Sequence, residues 1–266
     1  MLIETPTPLF KTTLEALPIG VYESNLQAGQ AAAAEAAEFL EQALESCPQA
    51  NIILATGNSQ LTFLETLRAI PGLDWSRVNV FHMDEYLGID PAHPASFPGF
   101  LRRHFLDHLQ PQAEAFFPVP GGHSNPAQAC QEYEALLRTY PADLCALGIG
   151  ENGHLAFNDP PYADFHDSVW VKVVRLDEAS RRQQVGEGHF PSLADVPTHA
   201  LTLTIPALLA ARKVLAIVPE KRKASAVQRS LFGPVEPNCP GSILRQTAHA
   251  HLFLDRDSAA LAFPNL

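Results

Sequence analysis

Hydrophobic and polar positions follow two different periods along the chain. Short apolar runs rich in Val, Ile, Leu and Phe are typical of buried strands, and apolar positions three and four apart are typical of helices with one buried face. The clearest helix is 26–47, in which Ala32, Ala36 and Leu40 share a face. Strands are predicted at 51–55, 78–83, 115–119, 143–149, 169–176, 199–206, 214–218 and 251–254, and further helices at 61–70, 93–109, 125–140 and 220–232. Residues 177–185 are predicted to form a helix or a lid segment.

The alternation of strands and helices predicts the fold class. Crossover helices between strands are typical of an α/β fold, in which a doubly wound, mostly parallel sheet carries helices on both faces. Neither a repeat nor a Pro-rich or Ser-rich linker divides the sequence, so residues 1–266 are expected to form a single domain. The first 25 residues contain Pro6, Pro8 and Pro18 and are expected to add at most a short strand at 20–22.

The charge of the chain limits the kinds of molecule that it is expected to bind. The 266 residues are 46% hydrophobic, enough for one large core, and carry a formal net charge of -11. Nucleic acid and anionic membranes attract clustered Lys and Arg, so neither is expected as a main partner. A small anionic ligand would need a local cationic pocket.

The N-terminus lacks the basic and apolar regions of a secretory leader, and no apolar run is as long as a membrane span. Cys47, Cys130, Cys145 and Cys239 are far apart and lack the spacing of a metal site. We therefore expect a cytoplasmic protein with buried or unreactive thiols.

One stretch, Leu147 to Pro161, reads LGIGENGHLAFNDPP and joins an apolar run to a group of polar residues. Ligands of open α/β sheets bind where strands end at their carboxyl edge, so this stretch is expected to form part of a pocket. His154 is its first catalytic candidate. The alternative is a structural histidine in a Gly-rich turn.

Three further segments carry candidate site residues. The turn at Thr56 to Ser59 joins a strand to a helix N-terminus, where unpaired N–H groups favour a phosphate, although Ser59 could instead simply cap the helix. The basic residues at 221–223 begin another helix, where cations are unfavourable unless they hold an anion; the alternative is a solvated basic turn. Asp84 and Glu85 follow a third strand, and only one of the two is expected to face a pocket.

These segments together resemble the glucosamine-6-phosphate deaminase family. The resemblance covers residues 25 to 260, including the order and spacing of the motifs ATGNS at 55–59, MDEY at 83–86, HPASF at 93–97, GENGHLAFNDPP at 150–161 and VPTHALT at 196–202. The family shares a Rossmann-like fold with the 6-phosphogluconolactonases, which are expected to show GDER-like and DGHTAS-like motifs instead.

The resemblance implies conversion of an amino sugar phosphate to a ketose phosphate and ammonia, through ring opening and C2-to-C1 proton transfer. Each step moves protons, so neither a metal nor an organic cofactor is expected. By resemblance Asp84 is the proton-transfer base, His154 the ring-opening acid and base, and Asp159 the residue that orients His154. The phosphate is assigned by the same resemblance to Gly57, Asn58, Ser59, Arg181 and Lys223.

The chain departs from the family pattern at three of these positions. Asn152 occupies a catalytic position that is usually Asp, Asp159 one that is usually Glu, and Asn58 one that is usually Gly. The imidazole of His154 therefore has one fewer negative neighbour than in the family pattern.

Two other functions remain open from the sequence. A sugar-phosphate lactonase on the same fold would use His154 to activate water. A non-catalytic sugar-phosphate sensor, as in the effector domain of a transcription regulator, would bind the ligand without turnover. The chain lacks an N-terminal segment long enough for a helix-turn-helix module and is acidic, which makes this the least favoured of the three functions. The sequence also leaves a monomer and a homo-oligomer equally open.

Overall fold

The computed structural model describes residues 5–160, 162–186 and 188–266. Eleven strands lie in that part of the chain: β1 (Phe10–Leu14), β2 (Leu17–Tyr22), β3 (Ala50–Leu54), β4 (Val78–His82), β5 (Asp84–Tyr86), β6 (Ala115–Phe117), β7 (Leu144–Leu147), β8 (Val171–Arg175), β9 (His199–Leu203), β10 (Lys213–Val218) and β11 (Ala250–Asp255). The α-helices there are α1 (Asn25–Ser46), α2 (Leu61–Ala69), α3 (Phe97–His104), α4 (Pro126–Thr139), α5 (Glu178–Gly186), α6 (Ile205–Leu209), α7 (Ala224–Phe232) and α8 (Arg256–Ala259).

Eight of these strands form a central sheet in the order β1-β2-β11-β10-β7-β3-β4-β6. All neighbours pair in parallel except β1 and β2. The central strands are buried on both faces, as parallel sheets require: β4 is buried at every position and β7 likewise. The predicted doubly wound α/β fold is confirmed.

Helices cover both faces of this sheet because side chains alternate along each strand. In β7, Leu144 and Ala146 pack into a core with α1, α2 and α3, whereas Cys145 and Leu147 pack into a second core with α4 and α7. Small residues on the buried side of α1 bring that helix close to the sheet.

The structure also contains a second sheet that was not predicted. β5, β9 and β8 form a separate three-stranded antiparallel sheet. β8 is buried only at intervals, so one of its faces remains open to solvent. Antiparallel sheets tolerate such exposure, whereas central strands of a parallel sheet do not.

The N-terminal region also differs from its prediction, because β1 and β2 form a hairpin at the sheet edge. Residues of β1 alternate between half-buried and exposed, and only Phe10 and Leu14 are apolar. Its pattern was therefore too weak to be read as a strand. The predicted helix at 93–109 is shorter, with α3 ending at His104 and a 3₁₀ turn at Leu106–His108.

The chain order of the strands creates a crevice. From β3 the chain continues to β4 and β6 on one side, and it returns at β7 to continue to β10 and β11 on the other side. Ligands of open α/β sheets bind at such a switch point, outside the carboxyl ends of the strands. No helix in the described part of the chain has both the length and the apolar character needed to cross a bilayer. Cys47 is exposed, while the other three cysteines are buried.

Candidate active site

Four neighbouring strands deliver the candidate residues to one edge of the sheet. β3, β4, β7 and β10 run in parallel, so the segments that follow them all emerge at the same edge. One pocket at this edge is lined by Gly57, Asn58, Ser59, Asp84, His154 and Lys223. The structure thus brings together six predicted site residues from four segments that lie far apart in the sequence.

Asp84 and Glu85 are neighbours on β5 that face opposite sides of the strand. Asp84 lines the pocket. Glu85 faces away from it and accepts hydrogen bonds from the Ser96 hydroxyl at 2.9 Å and from the Phe97 N–H at 3.2 Å. The expectation that only one of the two carboxylates would face the pocket is confirmed.

Both carboxyl groups are buried, and burial makes ionisation costly. Burial raises the pKa of Asp84 well above its ordinary value, and the adjacent charge of Glu85 raises it further. Burial also raises the pKa of Glu85 to about 7, despite its three hydrogen bonds from Tyr86, Ser96 and Phe97. A carboxyl with a raised pKa is a stronger base than an ordinary one, so Asp84 is suited to removing a proton from carbon.

His154 and Asp159 form a hydrogen-bonded couple in the loop after β7. The Nδ1 atom of His154 lies 3.0 Å from Oδ1 of Asp159, which is completely buried. Burial alone raises the pKa of this carboxyl. Hydrogen bonds from His154, Asn152 and Ser180 outweigh burial and lower the pKa to about 2. The carboxylate is therefore ionised at neutral pH and orients the imidazole.

Asn152 connects the two members of this couple. Its Nδ2 donates to Asp159 at 2.9 Å, and its Oδ1 accepts from the backbone N–H of His154 at 3.0 Å. An aspartate could accept the second bond but could not donate the first. The amide therefore allows Asp159 to stay ionised without a second negative charge beside it.

Ser180 is a site residue that the sequence analysis missed. Its hydroxyl donates to Oδ1 of Asp159 at 2.5 Å and lies 3.2 Å from Nδ1 of His154. It belongs to α5, which follows β8, and no motif connects it with the loop after β7. Its helical spacing from Gln183 and Gln184 places it on the side of α5 that carries those two pocket residues, but nothing in the sequence connects it with Asp159.

The predicted phosphate turn lies at the start of α2. Gly57 has a φ of 97°, a conformation that suits glycine, and a 3₁₀ turn follows at Asn58–Gln60. The N-cap residue of α2 is Gln60, so Ser59 does not cap that helix. Gln60 is buried and donates to Ser59 Oγ at 3.3 Å and to the Ile217 carbonyl at 3.1 Å, which ties the turn to β10.

Lys223 supplies the cation at this end of the pocket. It ends a 3₁₀ turn at Lys221–Lys223 that leads into α7, and only 4% of it is exposed. Arg222 instead pairs with Glu220 and Glu151 at the surface. A buried ammonium beside a helix N-terminus suits an anionic ligand group.

Arg181 is the one predicted phosphate residue that the structure directs elsewhere. Its Nη2 donates to the carbonyl oxygens of Leu193 at 2.6 Å and Val196 at 2.8 Å, and it does not line the pocket. The α5 connection contributes Gln183, Gln184 and His189 to the pocket instead. The family resemblance assigned Arg181 to the phosphate as a counter-charge, but its guanidinium binds the following loop.

The pocket also has an apolar wall that the sequence analysis did not assign to it. Pro94, Ala95, Phe97 and Phe157 line this side. The segment containing the first three is held by Glu85, so the wall and Asp84 are positioned by the same strand. Pro161, the last residue of the motif, lies outside the described residues. Within the described ranges, no group of His, Cys, Asp and Glu side chains is arranged to hold a metal ion.

Comparison with known proteins agrees with this geometry. A family model described as glucosamine-6-phosphate isomerases/6-phosphogluconolactonase matches residues 23–253. A glucosamine-6-phosphate deaminase of Exiguobacterium sibiricum is 35% identical, with 84% of this chain and 86% of that protein covered. A protein of the same name from Bacillus pumilus is 32% identical, with 85% and 94% covered.

Solved structures show the same architecture. A monomeric glucosamine-6-phosphate deaminase superposes with a TM-score of 0.83 at 27% identity, covering 91% of this chain and 99% of that chain. A 6-phosphogluconolactonase from Shewanella baltica superposes with a TM-score of 0.75 at 19% identity, covering 92% and 98%, and at that identity it shows the fold alone. The chain belongs to the glucosamine-6-phosphate isomerase/6-phosphogluconolactonase family.

Proposed function

We propose that this protein is a glucosamine-6-phosphate deaminase, which converts glucosamine 6-phosphate and water to fructose 6-phosphate and ammonia. The observation that carries the proposal is the shared pocket of Asp84 and His154, with a phosphate-type turn and Lys223 lining it as well. The relatives named for this activity match most of the chain.

The phosphate is proposed to bind between the Gly57–Ser59 turn and Lys223. The first N–H groups of a helix have no partner within the helix, and they point toward an anion at its N-terminus. Lys223 adds a point charge in a buried setting, where charge-assisted hydrogen bonds are strong. This end of the pocket fixes the sugar so that its other end reaches Asp84 and His154.

His154 is proposed to open the sugar ring. Because Nδ1 faces Asp159, the other ring nitrogen, Nε2, is available to exchange a proton with the ring oxygen and the C1 hydroxyl. The ionised Asp159 stabilises the imidazolium that forms when His154 takes up a proton. Opening the ring gives the C1 aldehyde, which makes the C2 proton acidic.

Asp84 is proposed to carry the C2 proton to C1. Removal of that proton, with uptake of a proton on the C1 oxygen, gives an enolamine. Its return to C1, with loss of a proton from the nitrogen, gives a C2 imine with a C1 hydroxymethyl group. Water then adds to the imine carbon and ammonia leaves, which produces the C2 ketone. Asp84 must be ionised to begin this sequence, so its raised pKa predicts activity that increases with pH as the carboxyl loses its proton.

A cytoplasmic location is part of the same proposal. The four cysteines are free thiols, which suits a reducing compartment. Phosphorylated sugars are charged and do not cross a bilayer unaided. An enzyme that acts on them is therefore expected in the compartment in which they are formed.

The test is an assay of the purified protein with glucosamine 6-phosphate and its epimer galactosamine 6-phosphate, measuring both ammonia and ketose phosphate. Equal amounts of the two products from glucosamine 6-phosphate support the proposal. A protein that releases no ammonia but hydrolyses 6-phosphogluconolactone above the spontaneous rate would be a lactonase. Binding without either reaction, retained in Asp84→Asn, would identify a sensor.

A further inference from the structure

The hydroxyl of Ser180 in α5 contacts both members of the couple in the loop after β7. It is 2.5 Å from Oδ1 of Asp159 and 3.2 Å from Nδ1 of His154. Only 3% of Ser180 is exposed, so water does not compete for these contacts. Ser180 therefore joins His154 and Asp159 in a group of three side chains in mutual contact.

The donors in this group can be assigned by elimination. Asp159 is ionised and can only accept, so the Ser180 hydroxyl donates to it. The remaining lone pairs of Ser180 Oγ then face the ring of His154. A proton on Nδ1 has two acceptors within reach, Asp159 at 3.0 Å and Ser180 at 3.2 Å. This arrangement favours the tautomer with hydrogen on Nδ1 and leaves Nε2 as the base.

Ser180 also shares a helix face with pocket residues. Residues three and four apart lie on the same side of a helix, so Gln183 and Gln184 follow Ser180 toward the pocket that they line. The side chain of Arg182 pairs with Glu178 within the helix, and Arg181 contacts the loop that follows. Ser180 thus links α5 directly to the buried carboxylate of Asp159.

We propose that Ser180 is a positioning residue that, together with Asp159, fixes the tautomer and ring orientation of His154. The inference rests on the proposed function, because it assigns the effect to the ring-opening step. Gln183 and Gln184 of α5 line the pocket, and Ser180 of the same helix completes the contacts of the His154 ring. One helix therefore supplies part of the pocket lining and one contact of the proposed base.

The test compares Ser180→Ala with Arg182→Ala, which removes an exposed ion pair from the same helix. In Ser180→Ala we expect kcat for glucosamine 6-phosphate to fall by about 10- to 100-fold, the range produced by misplacing a catalytic group by on the order of 1 Å. We expect KM to change far less. Arg182→Ala is expected to keep the parent kcat and KM. A Ser180→Ala variant with the parent kcat, or with a change in KM alone, would overturn the proposal.

A second measurement does not depend on turnover. In protein labelled with ¹⁵N-histidine, the ring nitrogens of His154 are assigned by their loss in His154→Gln, and their shifts report the tautomer. We expect the parent to show hydrogen on Nδ1 and Ser180→Ala to show a shifted tautomer balance. Unchanged ring shifts would overturn the positioning role even if kcat fell. If the parent released no ammonia, the proposed function would fail, while this measurement would still decide the role of Ser180.

Discussion

The ring of His154 lies directly against the backbone of Gly150, in the space that a Cβ atom would fill. A Cβ built on Gly150 would be 2.2 Å from both Cε1 and Nε2 of the ring and 2.4 Å from Nδ1. The Gly150 N–H also donates to the His154 carbonyl at 2.9 Å, so the loop closes on itself. The His154 ring can therefore occupy this position only because Gly150 has no side chain.

Substituting Gly150→Ala should displace the His154 ring, because no real Cβ contact is as short as 2.2 Å. We expect kcat/KM to fall by about 100-fold or more, since the base no longer reaches the ring oxygen in the right geometry. Steady-state kinetics and circular dichroism measure the loss and the retained fold. The matched control is Gly122→Ala, whose Cβ would meet open space. Equal activity in the two variants would contradict the role given to His154.

Substituting Asp159→Asn should remove the charge that fixes the His154 tautomer while keeping the size of the side chain. An amide can present its NH₂ group to Nδ1, which favours the wrong tautomer, and a comparable change in a serine protease costs about 10⁴ in kcat. We expect kcat to fall by about 1,000-fold or more, measured as ammonia release. Asp164→Asn alters an exposed carboxylate nearby and should leave kcat unchanged. Parent activity in Asp159→Asn would refute the orienting role.

The sequence could predict the residues of this site that follow strands, because parallel strands bring their carboxyl ends to one edge whatever the intervening helices do. Asp84, His154 and the turn at Gly57 all follow strands and were found in this way. Ser180 could not be found, because its partners lie in the loop after β7 and only tertiary packing brings them within 3.2 Å. Arg181 was carried over from the family as a counter-charge, but in this chain its guanidinium donates to the carbonyl groups of a neighbouring loop.

The second, antiparallel sheet could not be predicted from the sequence either. Periodicity distinguishes strands from helices, but it does not say which strands pair. β8 and β9 have apolar patterns like those of the central strands, yet they pair antiparallel in a separate sheet. Which strands pair with each other depends on how the whole chain packs. The apolar pattern of one strand does not identify the strand that it pairs with.

Substituting Lys223→Met should weaken phosphate binding while keeping the apolar stem of the side chain. A hydrogen bond to a charged group is worth about 1.5–3 kcal/mol, so KM for glucosamine 6-phosphate should rise by about 10- to 100-fold. The control is Lys221→Met, which removes an exposed cation two residues away. If both variants raised KM equally, the effect would come from the general field of the basic turn and the specific role of Lys223 would be wrong.

Glu85 should make the stability of the protein depend on pH. Its folded pKa is raised to about 7 from an ordinary 4.5, so between these values the folded protein binds more protons than the unfolded chain. Stability therefore falls as pH rises through this window. The shift corresponds to on the order of 3 kcal/mol lost between pH 4.5 and pH 7.

Substituting Glu85→Gln should remove much of this dependence, because an amide does not titrate. We expect the free energy of unfolding in urea, measured at pH 5 and pH 8, to differ less in Glu85→Gln than in the parent. His82 titrates in both proteins, with a pKa lowered to about 3 by burial, so its opposite contribution cancels in the comparison. Asp84 loses the neighbouring charge that helps raise its pKa, which reduces the pH dependence of stability further.

The control is Glu45→Gln, an exposed change that should keep the pH dependence of the parent. A Glu85→Gln variant with that same pH dependence would show that the Glu85 carboxyl is ionised in the folded protein at little cost, and its hydrogen bonds to Ser96 and Phe97 would then have to compensate fully for its burial.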